Sequence, residues 1–381
     1  MNTPKKELTF SLLLLVIISL ACNYLKPKEA ETVSNSNAGN SNNDTAENKK
    51  PKRDPNEKTF RGNIFGESPS PFVMTLKRDG NSLTGTYYYV KSRKDIALKG
   101  AIDKAGKFKL EESSEGKVTG TFTGDWLDSE DEPLTRLEGQ WKKPGGDELG
   151  FGAVEQSLDT SGNQTIEDKS TKEEDKKKKL FYEIIYPKIS GFGTHTDAIN
   201  KELAAAFDTD IASFKKDVEE LCGEVETNCS FEAGYDTTLA TDDLLSFHFE
   251  ASVYTGGAHP NSYSKNLTFD VKTGKKIKLA ELFKPNSNYL KKISDISVES
   301  LRKQLKKIGE GQDPDEEMLR SGTEPSNENY SEWNITKKGL LINFDPYQVA
   351  AYAYGPQRVL IPFNSLKDIA KEDGALSPFI K

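Results

Sequence analysis

The sequence predicts a multidomain chain: an all-β meander or small barrel, followed by an α+β domain in which helices pack on an antiparallel sheet. Two observations carry this reading. Between residues 58 and 156, seven or eight short alternating runs recur roughly every ten residues, divided by turn residues, which is the pattern of an antiparallel meander. From residue 179 onward, two long stretches of helical periodicity stand among further strand-like runs, an order that gives an α+β layer.

The N-terminus sets the compartment. Lys5 and Lys6 precede an apolar run from Phe10 to Ala21. At about a dozen residues it is too short to span a bilayer and suits a signal h-region. Ile18-Ser19-Leu20-Ala21-Cys22 resembles a lipobox, although Ser19 stands where the usual Leu would be. Residues 1–21 are therefore expected to be a lipoprotein signal peptide and Cys22 the lipidated residue. The membrane is then a partner through that lipid, and the protein is exported, anchored to the cell or outer membrane and facing the periplasm or the exterior. Plain secretion or an uncleaved anchor are the alternatives, and both export the rest. Residues 22–57, rich in Asn, Ser, Lys, Glu and Pro, cannot bury enough apolar surface to fold and read as a disordered tether.

In residues 58–156, Phe72-Val73-Met74-Thr75-Leu76-Lys77 alternates and meets the turn Asp79-Gly80-Asn81. Leu83 to Tyr89, Ile96 to Ile102, Phe108 to Leu110, Val118 to Phe122 and Leu137 to Trp141 continue the series. Gly85, Gly100, Gly120 and Gly139 suit the tight bends of a small barrel. The style of Gly80 to Tyr87 resembles avidin-like and lipocalin-like meanders. Such a barrel is filled by its own aromatics or holds a ligand in its mouth, the first being the commoner outcome at this size. Residues 157–178, with the charge run Glu173 to Lys179, read as a solvated linker.

In residues 179–381, Phe181 to Pro187 reads as a strand. A helix is expected from Thr196 through Leu221, with Ile199, Leu203, Phe207, Ile211, Phe214, Val218 and Leu221 on one face. Strands follow near 230–239, 243–254 and 263–271, then a helix over 287–308. Trp333 to Thr336 and Gly339 to Phe344 form a late pair. Val359 to Pro362 is a last strand, and a terminal helix starts at Asn364. With Cys22 lipidated, Cys222 and Cys229 are the only thiols left, and in an oxidising compartment they are expected to pair. Two thiols with no His beside them are too few for a metal site.

Two segments are specific. Tyr254-Thr255-Gly256-Gly257-Ala258-His259-Pro260 is followed by Leu267 to Phe283. Leu341 to Gly355, containing Tyr347, Tyr352 and Tyr354, is followed by Val359-Leu360-Ile361-Pro362-Phe363. Together they resemble the extracellular domain shared by RsiV-type anti-sigma factors and PdaC-type peptidoglycan deacetylases, over about residues 180–375. The resemblance implies a cell-envelope binding module. In the RsiV type that domain is a lysozyme receptor, and in the PdaC type it precedes the catalytic domain. The deacetylase motif Thr-Phe-Asp-Asp-Gly-Pro does not occur in this sequence.

The binding surface is expected around Tyr254, Gly256, Gly257, His259, Tyr347 and Tyr352. The glycines permit close backbone approach, and the rings supply flat faces and hydrogen-bonding groups. The bland alternative is a packed turn whose His satisfies a carbonyl. Chemistry is not expected. The three histidines, His195, His248 and His259, accompany no Gly-x-Ser-x-Gly elbow and match no metal motif with an acid such as Asp242. His248, in Phe247-His248-Phe249, reads as a packed or edge residue. No catalytic residue, metal or cofactor is assigned. The net charge of -8 with no basic stripe excludes nucleic acid as a partner. The sequence thus reads as a non-catalytic envelope lipoprotein binding a lysozyme-like protein or peptidoglycan. A structural or accessory lipoprotein without a discrete ligand and a peptidoglycan-acting hydrolase are the alternatives.

Overall fold

The computed structural model describes residues 54–222 and 228–380. The expected signal peptide, Cys22 and the tether up to residue 53 lie outside the described residues.

Alternation of apolar and polar residues builds the first unit. Eight strands, β1 (Glu57–Phe65), β2 (Ser70–Asp79), β3 (Ser82–Tyr89), β4 (Ile96–Ile102), β5 (Lys107–Ser114), β6 (Lys117–Leu127), β7 (Arg136–Lys142) and β8 (Glu148–Gln156), pair in sequence order. β8 returns antiparallel to β1 and closes the barrel. Every second residue points inward, so Phe60, Phe72, Tyr87, Phe108, Phe122 and Phe151 meet in one buried cluster. Phe122 and Phe151 cross edge to face at 5.0 Å. Where Gly124 pairs with Gly139, a Cβ on Gly139 would stand 2.0 Å from the Thr123 carbonyl oxygen, an approach that only glycine allows. One carboxylate is enclosed here: Glu112, 3% exposed, accepts from the Tyr87 hydroxyl and, at 3.1 Å, from Trp141 Nε1.

The second unit is a sheet of β9 (Leu158–Asp159), β10 (Thr165–Asp175), β11 (Leu180–Ser190), β12 (Cys229–Thr241), β13 (Leu244–Tyr254), β14 (Asn261–Asp270) and β15 (Lys275–Lys276). The strands from β10 to β15 lie in sequence order, and β9 pairs with β12. β11 and β12 run parallel, joined by a crossover through α1 (Thr196–Ala204) and α2 (Asp208–Leu221). The single helix expected over 196–221 is therefore two, broken at 205–207, with Ile199, Leu203, Phe207, Phe214 and Val218 facing Phe231 and Phe249. Leu221, expected on that face, is exposed. Cys222 and Cys229, both fully buried, form a disulfide that fastens the end of α2 to the start of β12.

A second core gathers α3 (Tyr289–Ile308), α4 (Glu316–Gly322) and an antiparallel sheet of β16 (Trp333–Ile335), β17 (Gly339–Phe344) and β18 (Gln357–Pro362). It docks on β13. Asn334 Nδ2 donates to Ser246 Oγ at 3.1 Å and to the Phe247 carbonyl at 3.0 Å. The terminal helix expected from Asn364 is one 3-10 turn, Phe363–Leu366.

The expected linker over 157–178 is not a linker in the structure. β10 pairs with β11 through eleven residue pairs, from Thr165 to Asp175. The main chain passes from β8 directly into the sheet: Ser157 N–H donates to the Thr237 carbonyl and Ala240 N–H to the Ser157 carbonyl, each at 2.8 Å. β10 is an edge strand, mostly exposed on both faces, so its sequence shows charge and no apolar alternation. Charges along an edge deter pairing with other chains. Side chains bind the barrel further, among them Gln156, whose Nε2 donates to Asp236 at 2.9 Å. Arg61 reaches Asp168 at 2.6 Å and lies over the Tyr235 ring at 4.4 Å. Lys338 reaches Asp128 at 2.8 Å and the Ser129 carbonyl at 2.7 Å.

Candidate binding site

The β13–β14 connection needs two successive left-handed residues, and Gly256 (φ 108°) and Gly257 (φ 102°) supply them. Tyr254 OH donates to the Gly257 carbonyl at 3.2 Å and braces the loop from within. His259 then stands exposed, with Nδ1 2.9 Å from the Pro260 carbonyl. A carbonyl only accepts, so Nδ1 carries the proton and Nε2 is left as the acceptor nitrogen.

The second segment arrives beside it. Tyr352 stacks on His259 with ring centroids 3.9 Å apart and planes 19° apart, and its hydroxyl donates to the Pro260 carbonyl at 2.9 Å. Tyr347 follows at 5.4 Å from Tyr352, 56% exposed. Its φ of 71° is rare for a bulky residue, and such strain persists where the surroundings hold it. The residues singled out in the sequence thus form one surface feature. His259 and Tyr347, both exposed, flank the half-buried Tyr352 in a strip of rings, while Tyr254, Gly256 and Gly257 shape the loop that presents it.

Behind the strip runs a polar line that sequence reasoning missed. Arg358 donates to His248 Nε2 at 2.9 Å, so the His248 proton sits on Nδ1, which donates to Asn266 Oδ1 at 2.8 Å. Asn266 Nδ2 donates to Glu332 Oε2 at 3.0 Å. Burial, then the Arg358 charge, push His248 down to about 3, so it stays neutral at ordinary pH. Burial, then the Asp345 charge, push Glu332 up to about 7. Asp345, itself raised by burial, accepts from Ser264 N–H at 2.8 Å. On β12, burial and then Glu183 raise Glu232 to about 7.

Glu332 also lines a cleft of ≈ 670 Å³ between the end of α1, β14, the segment after β15 and residues 327–333. Lys265, Lys276, Lys278, Asn266 and Glu202 share its walls. Lys265 is engaged by Asp210 and the Ala206 carbonyl. The groups weighed in the sequence as zinc ligands are not brought together. Both His248 ring nitrogens are engaged, and Asp242 accepts from Ser161 and Gln164. Among the described residues no helix is long and apolar enough to cross a membrane.

Residues 173–262 match the family described as deacetylase PdaC, and residues 280–364 match a protein family of unknown function, DUF3298. Over 164 residues the chain is 30% identical to the peptidoglycan-N-acetylmuramic acid deacetylase PdaC of Bacillus subtilis (strain 168). That stretch is 43% of this chain and 34% of the relative, so the chain spans about a third of the length of the protein it matches. Two solved DUF3298 proteins are similar at lower identity. One, from Bacteroides fragilis NCTC 9343, has 18% identity and a TM-score of 0.42, covering 58% of this chain and 98% of that one. The other, from Pseudomonas aeruginosa PAO1, has 13% identity and a TM-score of 0.38, covering 55% and 94%. The match to a protein named a deacetylase corrects the expectation that this chain is not an enzyme: the absence of a hydrolase elbow or a metal motif was too narrow a ground for it. The part of the chain that follows the barrel carries a PdaC-type segment, ending just past the His259 loop, and then a DUF3298-type segment, bearing Tyr347 and Tyr352.

Proposed function

We propose that this protein is directed at peptidoglycan in the cell envelope and holds glycan on the strip His259–Tyr352–Tyr347. The observation that carries the reading is the strip itself: three rings, His259 stacked face to face on Tyr352 with Tyr347 beside them, gathered at a loop that glycine geometry shapes. A flat apolar face beside hydroxyl and imidazole groups suits a pyranose ring, which offers C–H groups on its face and hydroxyls at its edge. The 30% identity to a peptidoglycan deacetylase supports the same polymer. Lipid on Cys22 would keep the site near that polymer, and release of a Cys22→Ala variant from detergent phase would test the anchor. Sedimentation with purified insoluble peptidoglycan tests the binding. The wild type is expected in the pellet and Tyr352→Ala in the supernatant, at unchanged melting temperature. Equal sedimentation of both would refute the strip. A lysozyme-like protein enters the same assay as a competing ligand.

A second reading is favoured by Glu332, which stands on a cleft wall near 7, where a general acid or base works. On that reading the chain is a peptidoglycan-acting hydrolase. Release of acetate or reducing ends from peptidoglycan, lost in Glu332→Gln, would support it; no release from the wild type would remove it.

A further inference from the structure

The ≈ 670 Å³ cleft follows the outer edge of β14, and that edge is unusual. The Thr268 carbonyl accepts from Ile277 N–H at 2.8 Å, and Ser264 N–H donates to Asp345, so both residues turn their backbone away from β13. Antiparallel strands alternate in this respect, and Asn266, midway between them, presents its backbone the same way. Among the described residues no strand pairs with this side of β14 before Phe269, where β15 begins a ladder of two residue pairs. The stretch from Ser262 to Thr268 is therefore a sheet edge without a paired strand, met by the Ile277 N–H at Thr268 and by the Asp345 and Glu332 carboxylates at Ser264 and Asn266, and it opens on a cavity.

The walls of the cavity are bipolar. Lys276 and Lys278 stand exposed on one side, with no ion pair to a described carboxylate. Glu202 and Glu332 stand on the others. Its volume falls in the range of about 300–1,000 Å³ typical of small-ligand pockets. An edge offering backbone groups favours an extended backbone as ligand, and flanking pockets of opposite charge favour one with both a carboxylate and an amine.

The cleft adjoins the ring strip. Asp345 ties the loop carrying Tyr347 to Ser264, and Glu332 meets the cleft at Asn266. Ser264 and Asn266 are two residues apart on one strand, roughly 7 Å. We propose that the cleft is a peptide site, taking a short extended peptide whose free carboxylate meets Lys276 and Lys278. It rests on the peptidoglycan reading above: sugar lies on the strip, and the peptide branch of the same polymer lies in the cleft.

Two probes separate the halves: a synthetic stem pentapeptide without sugar, and chitotetraose without peptide. Titration calorimetry on the full chain reads both. The pentapeptide is expected to bind the wild type and to bind Lys276→Glu/Lys278→Glu at least tenfold more weakly, while chitotetraose binds that variant as it does the wild type. Tyr352→Ala should show the converse. Both lysines are exposed, and a melting curve verifies that the double variant folds. A pentapeptide that does not bind the wild type, or binds the double variant equally well, overturns the peptide site, and the glycan reading then stands or falls on chitotetraose alone. Pentapeptide binding lost in the double variant, with no chitotetraose binding, keeps the peptide site and removes the glycan strip.

Discussion

Replacing Glu332 by Gln is expected to change how stability responds to pH. Burial and the neighbouring Asp345 hold this carboxyl near 7, against an ordinary value of 4.5. The folded protein therefore keeps a proton that the unfolded chain has already released. Below pH 4.5 both states hold it and nothing is lost. As pH climbs from 4.5 to 7, ionisation favours the unfolded chain, and stability falls; above 7 the loss is complete. At about 1.36 kcal/mol per pH unit the loss is about 3 kcal/mol, and partial exposure of the carboxyl reduces it to about 2. Gln at this position still accepts from Asn266 Nδ2 and has no charge to bury. Urea unfolding, followed by tryptophan fluorescence at pH 5, 6, 7 and 8, should show the variant gaining about 2 kcal/mol on the wild type over this range. Glu232, also near 7, is common to both proteins and cancels. Parallel profiles for the two proteins would refute the burial argument.

Tyr347→Gly should leave unfolding free energy within about 1 kcal/mol of the wild type, because relief of the left-handed backbone offsets the lost ring contact, while peptidoglycan sedimentation falls; a large loss of stability would mean that the ring is a packing residue. Cys222→Ser with Cys229→Ser should cost about 2–3 kcal/mol by freeing a short loop in the unfolded chain, and free alkylatable thiols at both positions in protein from the envelope would contradict the pairing. Brief trypsin treatment should nick the exposed lysines at 176–178 and spare Lys169 and Lys172, whose residues are paired with β11; early cleavage after Lys169 would contradict the edge strand.

The elements that announced themselves in the sequence are those with one face buried. The barrel strands and most of β12 alternate because each packs on a core from one side; β13 is buried on both faces, but its second face meets β16–β18 through polar groups such as Ser246 and His248, so its sequence alternates as well. β10 was invisible for the opposite reason: an edge strand wet on both faces has no apolar period to read. The break between α1 and α2 falls inside an unbroken apolar stripe, since Phe207 stays buried across it. The ring strip was legible as two aromatic loops but not as a stack, because His259 and Tyr352 meet only through the docking of β16–β18 on β13. The line from Arg358 to Glu332 left no trace. It is made of common polar residues, and the contact between Arg358 and His248 spans 110 positions. Glu332 draws its chemistry from enclosure, and enclosure is a property of the fold.

The seam between the two family segments bears on how this protein can be divided. The segments are separate in sequence, and a plasmid designer would be tempted to cut between residues 262 and 280. Asn334 makes two of its hydrogen bonds across that seam, and Arg358 and Glu332 are linked through His248 and Asn266. Excising either piece would break these hydrogen bonds and open to water the apolar core that Leu239 and Leu244 share with the later segment. The smallest inheritable module is therefore the pair. Shuffling between relatives should exchange both segments together, and a chimera that mixes them must import Asn334 and Arg358 along with the strands they grip.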